Sequence, residues 1–474
     1  MSLYHNKPAV SRRFRLILSS FLQKEGLPFA DVLPEERIQE AFAEEGADFA
    51  REEEDVYTPA ATLWAFLSQV LFKSEQRSCL AAVSRVLVLL VALGRKPCAK
   101  NSGAYCRARA KLPEPVIRRL TREVAEGCER AVPQGWLWHG RHVFLADGTT
   151  ASMPDTPENQ GEYPQHVAQQ PGLGFPIVRL VVLFSLATAM VCDMALGPYS
   201  GKETGEPALL RALLGGVDPR AILLTDRYYC GYFMIALVLL GRRDFVTRLH
   251  QCRKTDFRHA RRLGKGDHLV EWTRPARPDW MDQAGYEQIP ESITVRLVEV
   301  QVDEPGFRVQ SLTVVTTLTD ADEYPREEIA ALYRRRWLAE LDILALKVSL
   351  GMDVLRCKTP AMVRKELWTC MLAYNLIRKT MLQAADEAGL SPRELSFTTA
   401  MQTIAASLGT LACADEALLM RLIAAQLASL AQQTVGDRPN RVEPRAVKRR
   451  PHPLALLTKP RNEARAELLR GTRV

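Results

Sequence analysis

The sequence predicts a mixed α/β protein with helical regions at both ends of the chain. Helical periodicity of apolar side chains dominates before about residue 135 and returns in the stretch up to about residue 432. From Val143, short β-branched or apolar runs alternate with helical patterns, which predicts a mixed sheet. Residues 251–318 break this alternation with strand-like runs, which predicts a β-rich insertion into the α/β core.

Composition excludes several classes of protein. The chain has 474 residues, of which 47% are hydrophobic and 25% are charged, and its formal net charge is +8. These values are typical of a globular protein of several domains, and the positive charge favours a polyanionic partner. The ten cysteines form no C-x-x-C pair, which argues against a zinc ribbon or a disulfide framework and favours a reduced cytosol. Neither a secretory signal nor a membrane span is recognisable, so we expect a cytoplasmic protein without membrane contact.

The N-terminal region reads as helical and partly basic. Thr58-Pro59 predicts the start of a helix, because a capping residue is followed by proline in the first turn. The segment from Arg95 to Arg122 carries nine bases and one acid. Such a segment could lie on DNA, or it could be the solvated face of a helix.

Strand-like runs occur both in the core and in the insertion. Those of the core are 143–146, 177–186, 189–194, 221–225 and 245–247, with helical patterns at 207–214 and 229–240. Those of the insertion are 268–272, 293–302 and 312–318, and they follow a basic stretch, 253–265. A long helix is predicted over 326–350, and the basic, proline-containing end after residue 438 predicts a partly disordered tail.

Two aspartates follow predicted strands. Asp147 precedes Gly148, so it could instead begin a hairpin turn, and Asp226 could instead cap the following helix. Open α/β sheets bind ligands at the carboxyl ends of their strands, where two neighbouring aspartates would repel each other unless a cation lay between them. Oxygen ligands of this kind suit Mg²⁺ or Mn²⁺.

A further group of chemically active side chains lies on the helix predicted over 326–350. At about 100° per residue, Tyr333, Arg336, Glu340 and Lys347 fall within one narrow stripe. A carboxylate, two cations and a phenol on one face could hold a phosphate beside a metal ion. Asp342 projects about 180° away on the same count and is not expected to join them. The alternative is a salt-bridged surface helix, on which Arg336 and Glu340 would be an ordinary i,i+4 pair.

These residues resemble the Tyr-Arg-Glu-Lys signature of the bacterial insertion-sequence DDE transposases, in the cut-and-paste branch that works through hairpin ends. All four positions of Tyr333-x2-Arg336-x3-Glu340-x6-Lys347 are present. The stretches 147–159, 171–176 and 225–230 are also similar to this family. The resemblance extends from about Asp147 to the basic tail.

The resemblance implies an RNase H-like catalytic core. In this core Asp147, Asp226 and Glu340 would hold two Mg²⁺ ions, which Mn²⁺ can replace. The 114 residues from the second acid to the third exceed the usual spacing of the family, and the β-rich insertion accounts for the difference.

The resemblance also implies DNA contacts near the cleaved transposon end. The residues that would hold the backbone there are Tyr333, Arg336 and Lys347. The family also stacks a tryptophan on a flipped base, and the candidates are Trp272, Trp280 and Trp337.

The expected function is that of a DNA transposase, acting as a homodimer on terminal inverted repeats and target DNA in the bacterial cytoplasm, associated with the nucleoid. It would catalyse Mg-dependent strand cleavage and strand transfer by a two-metal mechanism.

The expected regions are a helical N-terminal DNA-binding domain (1–135), the first part of the catalytic core (136–250), the β-rich insertion (251–318), the glutamate helix of the core (319–360), a C-terminal helical region for dimerisation (361–434) and a basic tail (435–474). The alternatives are a structure-selective DNA nuclease and a non-catalytic DNA-binding protein derived from a transposase. The presence of all three acids argues against the second alternative.

Overall fold

The computed structural model of the protein describes residues 16–17, 19–21, 34–47, 49, 55–253, 257–301, 311–436 and 457–470. The tail expected over 435–474 lies largely outside the described residues. Of its described part, residues 461–469 form a helix (Arg461–Leu469).

The described N-terminal region is helical, as predicted. Its helices are α1 (Glu35–Glu44), α2 (Pro59–Val70), α3 (Cys79–Ala92), α4 (Gly103–Lys111) and α5 (Glu114–Arg130). The side-chain oxygen of Thr58 accepts a hydrogen bond from the backbone N–H of Ala61 at 3.4 Å, and Pro59 occupies the first helical position. The helix start predicted at Thr58-Pro59 is therefore confirmed.

A mixed sheet forms the centre of the molecule. Its core strands are β1 (Val143–Ser152), β2 (Ile177–Ser185), β3 (Val191–Pro198), β4 (Ile222–Thr225) and β5 (Asp244–Arg248). Strands β1, β2 and β3 pair antiparallel, whereas β4 pairs parallel with both β1 and β5, so that the order is β3-β2-β1-β4-β5. The intervening helices are α6 (Pro157–Glu162), α7 (Glu206–Leu213) and α8 (Tyr232–Leu240). The expected RNase H-like mixed sheet is confirmed.

The β-rich insertion continues the core sheet. It contains β6 (Arg261–Gly264), β7 (Asp267–Thr273), a short helix α9 (Gln283–Gln288), β8 (Ser292–Gln301) and β9 (Ser311–Thr316). Strand β9 pairs antiparallel with β5, and the sheet then extends in the order β9-β8-β7-β6. An uncovered edge strand exposes unpaired backbone groups, and this pairing covers the edge of β5.

The helix predicted over 326–350 is not continuous. The structure has α10 (Arg326–Arg334), α11 (Trp337–Leu344) and then a π-helical segment (Ala345–Ser349). A π-helical turn is wider than an α-helical turn, so the direction of Lys347 departs from that of a straight α-helix. The remaining helices are α12 (Pro360–Ala388), α13 (Phe397–Cys413), α14 (Glu416–Ala431) and α15 (Arg461–Leu469). In the described part of the chain, no helix is both long and apolar enough to cross a membrane.

The two faces of the sheet pack against different helices. Val143 and Leu145 belong to the core that includes the N-terminal helices, α11 and α12, whereas Phe144 and Ala146 belong to the core formed with α7 and α8. Alternate residues of a strand point to opposite faces. The same alternation assigns Asp147 to the α11 face.

A buried ion pair joins the N-terminal region to α12. Arg77 Nη2 lies 3.1 Å from Glu366 Oε1, and both side chains are 4% exposed. Arg77 also donates to the carbonyl oxygen of Leu350, just after the π-helical segment. The N-terminal helices therefore help to position the segment that carries Lys347.

Candidate active site

The first two candidate acids come together where β4 ends beside β1. The parallel pairing of these strands ends with Ala146 opposite Thr225, so Asp147 and Asp226 are the next residues on each strand. Strand β1 continues past Asp147 to Ser152 through its pairing with β2. The hairpin-turn interpretation of Asp147 is therefore wrong, because the chain runs straight through this position.

The capping role considered for Asp226 is present. Its Oδ1 accepts a hydrogen bond from the backbone N–H of Tyr228 at 2.8 Å, at the start of a 3-10 turn. A carboxylate has two oxygens and about four acceptor sites, so this bond orients the group and leaves capacity for a cation. Capping and cation binding are compatible at this residue.

Arg336 lies between the first and third acids. Helix α11 packs against β1, and Arg336 Nη2 lies 2.5 Å from Glu340 Oε1. The other terminal nitrogen, Nη1, lies 3.9 Å from Asp147 Oδ2. The i,i+4 pair of Arg336 and Glu340 is therefore present. It is not an isolated surface pair, because the same guanidinium also approaches Asp147.

The three acids form one electrostatic cluster. Burial raises the pKa of Asp147 to about 6, against the opposing effects of the Gly148 backbone N–H and of Arg336. The negative charges of Asp226 and Glu340 raise this pKa as well. The three acids therefore influence one another electrostatically.

Tyr333 is a buried phenol beside this cluster. Burial raises its pKa to about 12, while the charge of Arg336 lowers it and that of Asp226 raises it. Its hydroxyl therefore keeps its proton at neutral pH and can act as a hydrogen-bond donor.

Lys347 lines a cavity of about 570 Å³ whose lining does not include Asp147, Asp226 or Glu340. Lys73 comes from the N-terminal region and Arg356 from the chain after the π-helical segment, and both line the same cavity. Buried Arg77 forms part of its wall, and Asp353 contributes one acid. The cations of the cavity make it suitable for a phosphate-bearing ligand.

The acids have the donor chemistry of a magnesium site. Each candidate ligand atom is a carboxylate oxygen, the donor type that Mg²⁺ prefers. Among the described residues, no three His, Cys, Asp or Glu side chains stand close enough together to hold a metal ion as they are. The carboxylate of Glu340 is engaged by Arg336. The residues therefore fit a divalent cation by donor type, provided that Glu340 is released from Arg336.

A fourth carboxylate, which no sequence motif marks, reaches the same place. Glu206 is the first residue of α7, and a Cβ added to Gly148 would lie 2.2 Å from its Cδ. Burial raises the pKa of Glu206, and the charge of Asp226 raises it further. The glycine after Asp147 is the signal in the sequence that could have pointed to a close neighbour here.

The candidate tryptophans differ in their surroundings. Trp272 is 6% exposed, and the guanidinium of Arg253 lies 3.8 Å from its ring centroid. The guanidinium of Arg211 lies 3.7 Å from the ring of Trp280. Trp337 is 52% exposed and lies on α11. Of the three, Trp337 offers the most accessible ring, and its stacking role stays a prediction.

Asp342 points away from the acids, as expected, but it is not an inert position. Its carboxylate is 1% exposed and pairs with Arg378 at 2.8 Å and with Arg393 at 3.0 Å. The hydroxyl of Tyr374 also donates to it at 3.1 Å. Removing this charge would leave two buried guanidinium groups without their partner.

Part of the basic segment 95–122 is engaged within the protein. Arg109 donates to the side chain of Gln69, Arg119 pairs with Glu123, and Arg122 pairs with Asp193. The exposed bases of the segment are Lys96, Lys100, Arg107, Lys111 and Arg118. Only these remain candidates for DNA contact from this segment.

The known proteins that resemble this chain are transposases, and the resemblance extends over most of its length. Residues 138–376 match the family model described as the transposase DDE domain. The transposase InsG of insertion sequence element IS4 from Escherichia coli (strain K12) is 29% identical over 433 residues, which cover 89% of this chain and 91% of InsG. The putative transposase InsZ of the same strain is 27% identical over 129 residues, which cover 27% of this chain and 42% of InsZ. A piggyBac transposase synaptic complex with hairpin DNA aligns with 86% of this chain and 84% of its own, with a TM-score of 0.42 and 11% identity.

Proposed function

Because the chain belongs to the DDE transposase family, we propose that it cuts DNA at the terminal inverted repeats of an insertion sequence and joins the freed ends to target DNA. The observation that carries this proposal is that Arg336 contacts both Asp147 and Glu340, while Asp226 follows the strand paired beside Asp147. Acids clustered around a cation at the end of a strand suit phosphoryl transfer, in which charge must be balanced at the reacting phosphate.

The same acids would hold two Mg²⁺ ions, which Mn²⁺ can replace. Ions held there would supply the Lewis acidity that activates water or a DNA 3′-hydroxyl for attack on a phosphodiester bond. Asp147, Asp226 and Glu340 are the proposed ligands. The support for them is their oxygen-donor chemistry and their placement, since the two aspartates follow the paired stretch of β1 and β4 and Glu340 lies on the helix that packs against β1.

Arg336 has a proposed role in coupling DNA binding to the release of Glu340. A guanidinium can bind two phosphate oxygens at once, so a DNA phosphate competes well with a single carboxylate for Arg336. Transfer of Arg336 to the phosphate would leave the Glu340 carboxylate free to act as a ligand. Tyr333, whose hydroxyl keeps its proton, would donate a hydrogen bond to the same DNA backbone.

The cavity that contains Lys347 is the proposed path of the transposon end beyond the acids. Lys73, Lys347 and Arg356 would neutralise successive phosphates, and each neutralised phosphate releases condensed counterions. The exposed bases of the N-terminal region lie within the proposed DNA-binding domain (1–135). They would contact DNA at a greater distance from the acids.

We also propose a homodimer, because both ends of an element must be cut in one assembly. The helical region 361–434 would supply the contact. Most of α12 is buried within the chain, whereas Leu418 and Met420 of α14 are exposed apolar side chains that a partner could cover. The protein would work in the bacterial cytoplasm, on the nucleoid.

One experiment tests the proposed function. The protein is incubated with Mg²⁺ and labelled duplexes that carry the terminal repeats flanking its gene, and the products are resolved on a denaturing gel. Nicked, hairpin and joined products are expected in sequence. Cleavage without joining would favour the structure-selective nuclease, and binding without cleavage would favour the non-catalytic DNA-binding protein.

A further inference from the structure

We infer that Arg248, the last residue of β5, binds a phosphate of the DNA strand on the side of Asp226 that lies away from Asp147. The inference rests on the proposed function, because it concerns the DNA that the active site would cut. It gives the end of β5 a part in DNA binding that no motif of the sequence indicates.

Arg248 lies in one row with the two candidate aspartates. The parallel pairing of β1 with β4 ends one residue before Asp147 and Asp226. The parallel pairing of β4 with β5 includes Leu224 opposite Val246, and two residues further along each strand are Asp226, whose backbone is still extended, and Arg248. Neighbouring strands lie about 4.8 Å apart, so the row from Asp147 to Arg248 crosses about 10 Å of the sheet.

Hydrogen bonds on both sides hold the end of β5 in place. The hydroxyl of buried Thr247 donates to the carbonyl oxygen of Asp226 at 2.6 Å. The backbone N–H of Leu249 donates to the carbonyl oxygen of Thr313 at 2.8 Å, beside β9. Arg248 therefore stands on a strand that is fixed to both of its neighbours, and such an element places a side chain more precisely than a loop does.

Arg248 points to the face of the sheet that carries α10 and α11. Val246 belongs to the core formed with these helices, whereas Phe245 belongs to the opposite core. Residues two apart in a strand point to the same face, so Arg248 follows Val246. The same count from Leu224, a member of the same core, assigns Asp226 to this face.

Tyr333 of α10 supports this direction. Burial raises the pKa of its phenol, whereas the charges of Arg336 and Arg248 lower it. The guanidinium of Arg248 therefore acts electrostatically on the same phenol as Arg336 does. Two cations and a hydroxyl from three different elements thus face the space in front of the aspartates.

The two other arginines nearest to the acids already have partners, whereas Arg248 has none. Arg336 pairs with Glu340, and Arg227 donates to the side chain of Gln251. Arg248 is half-buried, yet within the described part of the chain its side chain forms neither an ion pair nor a hydrogen bond. A charge that is partly removed from water without a partner is unfavourable, and a bound anion would offset this cost. A DNA phosphate suits the position, because a guanidinium can bind two of its oxygens.

Neutral phosphate analogues test the inference without relying on activity. Duplexes with the terminal repeat carry a single methylphosphonate at successive positions of the strand to be cut, and their affinity for the full-length protein is measured by fluorescence anisotropy. The wild type should lose affinity wherever it contacts the replaced phosphate. In Arg248→Gln one of these positions should become insensitive while the others keep their effect, because that phosphate has already lost its partner. The unmodified duplex should bind this variant roughly tenfold more weakly, as expected for a hydrogen bond between charged groups.

Two further variants separate the phosphate contact from other effects of the substitution. Arg242→Gln is the matched control, because Arg242 is exposed and precedes β5, at the opposite end of the sheet, so it should keep the affinity and the sensitive positions of the wild type. Arg248→Lys keeps the charge but loses the planar fork, so it should recover only part of the affinity. Thermal unfolding of each variant is measured alongside, since a purely structural Arg248 would lower Tm and leave every position as sensitive as in the wild type.

The outcomes separate the two proposals. If Arg248→Gln keeps every sensitive position of the wild type, whether or not its overall affinity falls, the inference is overturned and the proposed function stands. If the wild type binds the terminal repeat no better than an unrelated duplex, both are overturned. Should Arg248→Gln fail to fold, Arg248→Lys decides: the effect of one methylphosphonate should shrink, and an unchanged effect at all positions would overturn the inference.

Discussion

Arg336 contacts two of the three candidate acids at once, Glu340 and Asp147. A surface i,i+4 pair contributes only about 0.3–0.5 kcal/mol and needs no third partner. Here the guanidinium also approaches Asp147, whose pKa burial has raised to about 6. A cation in this position offsets the repulsion between neighbouring carboxylates.

Loss of any one acid should abolish cleavage while DNA binding persists. Asp147→Asn, Asp226→Asn and Glu340→Gln remove a carboxylate oxygen from the proposed cation site but no proposed phosphate contact. Cleavage is measured on gels and binding by fluorescence anisotropy. Glu327→Gln on α10 is the control, since Glu327 is exposed.

Asp342 cannot serve as this control, because its buried pairing with Arg378 and Arg393 makes substitution destabilising. Wild-type cleavage by one of the three variants would remove that residue from the proposed triad.

Arg336→Lys should retain much of the pairing with Glu340 but lose bidentate phosphate binding. Lysine offers a point charge, whereas arginine presents a planar fork that matches two phosphate oxygens. We expect slower hairpin formation and strand joining, measured in single-turnover reactions, with the affinity for uncut duplex less affected. Wild-type rates in Arg336→Lys would contradict a phosphate role for this residue.

The pKa of Asp147 predicts a pH dependence of stability. Its ordinary value is 3.8 and burial raises it to about 6, so the folded protein binds this proton more tightly than the unfolded chain does. Between about pH 4 and pH 6 the stability of the metal-free protein should therefore fall as the pH rises. Thermal unfolding in EDTA should show this decline in the wild type and a smaller one in Asp147→Asn. An equal decline in both proteins would show that other groups cause it.

At the scale of elements, the ends and breaks of strands and helices build the site. Strand β4 stops at Thr225 while β1 runs on to Ser152, which opens the flank where the acids gather. Lys347 lies in the π-helical segment after α11 and lines the cavity shared with Lys73. A straight helix over 326–350 would have kept Lys347 on the stripe of Glu340.

Lys73→Gln should weaken binding of the transposon end even though Lys73 lies far from the acids in sequence. With one phosphate fewer neutralised, the slope of log affinity against log salt concentration should decrease by about 0.9. Arg242→Gln is the matched control, because Arg242 is exposed and precedes β5, at the opposite end of the sheet from the acids. An identical slope in Lys73→Gln and the wild type would place the DNA elsewhere.

At the scale of the whole molecule, one buried core unites the N-terminal helices, one face of the sheet and α12. The pair of Arg77 and Glu366 crosses between these regions. The N-terminal helices therefore pack in the same core as the face of the sheet that carries Asp147. The described end of the tail also meets the core region, since Pro460 lies close to Gly172 and Ala464 is buried.

The bases of the tail should add affinity for DNA without sequence preference. From Arg441 to Val474 the sequence has ten bases and three acids. Changing Arg441, Arg445, Lys448, Arg449 and Arg450 to glutamine leaves the helix at 461–469 intact. The salt dependence of binding should flatten by about 0.9 for each phosphate that these bases no longer neutralise, for specific and unrelated duplexes alike. An unchanged slope would mean that these bases contact protein.

Local patterns in the sequence were sufficient for the fold class, and they also supplied the candidate acids, whose role stays a prediction. The strands predicted at 143–146, 221–225 and 245–247 are present, because buried strands depend mainly on short runs of apolar and β-branched residues. Asp147, Asp226 and Glu340 became candidates through strand ends and motif spacing, both of which are local properties.

The sequence by itself determined which residues carry charge and which segments form strands and helices. Only the tertiary structure decided that Glu206 lies over Gly148, that Arg336 reaches Asp147 and that Lys73 faces Lys347. Each of these contacts joins segments between 58 and 274 residues apart in the chain. No periodicity or spacing encodes such a contact, because it arises only when packing of the sheet and helices brings the two segments together.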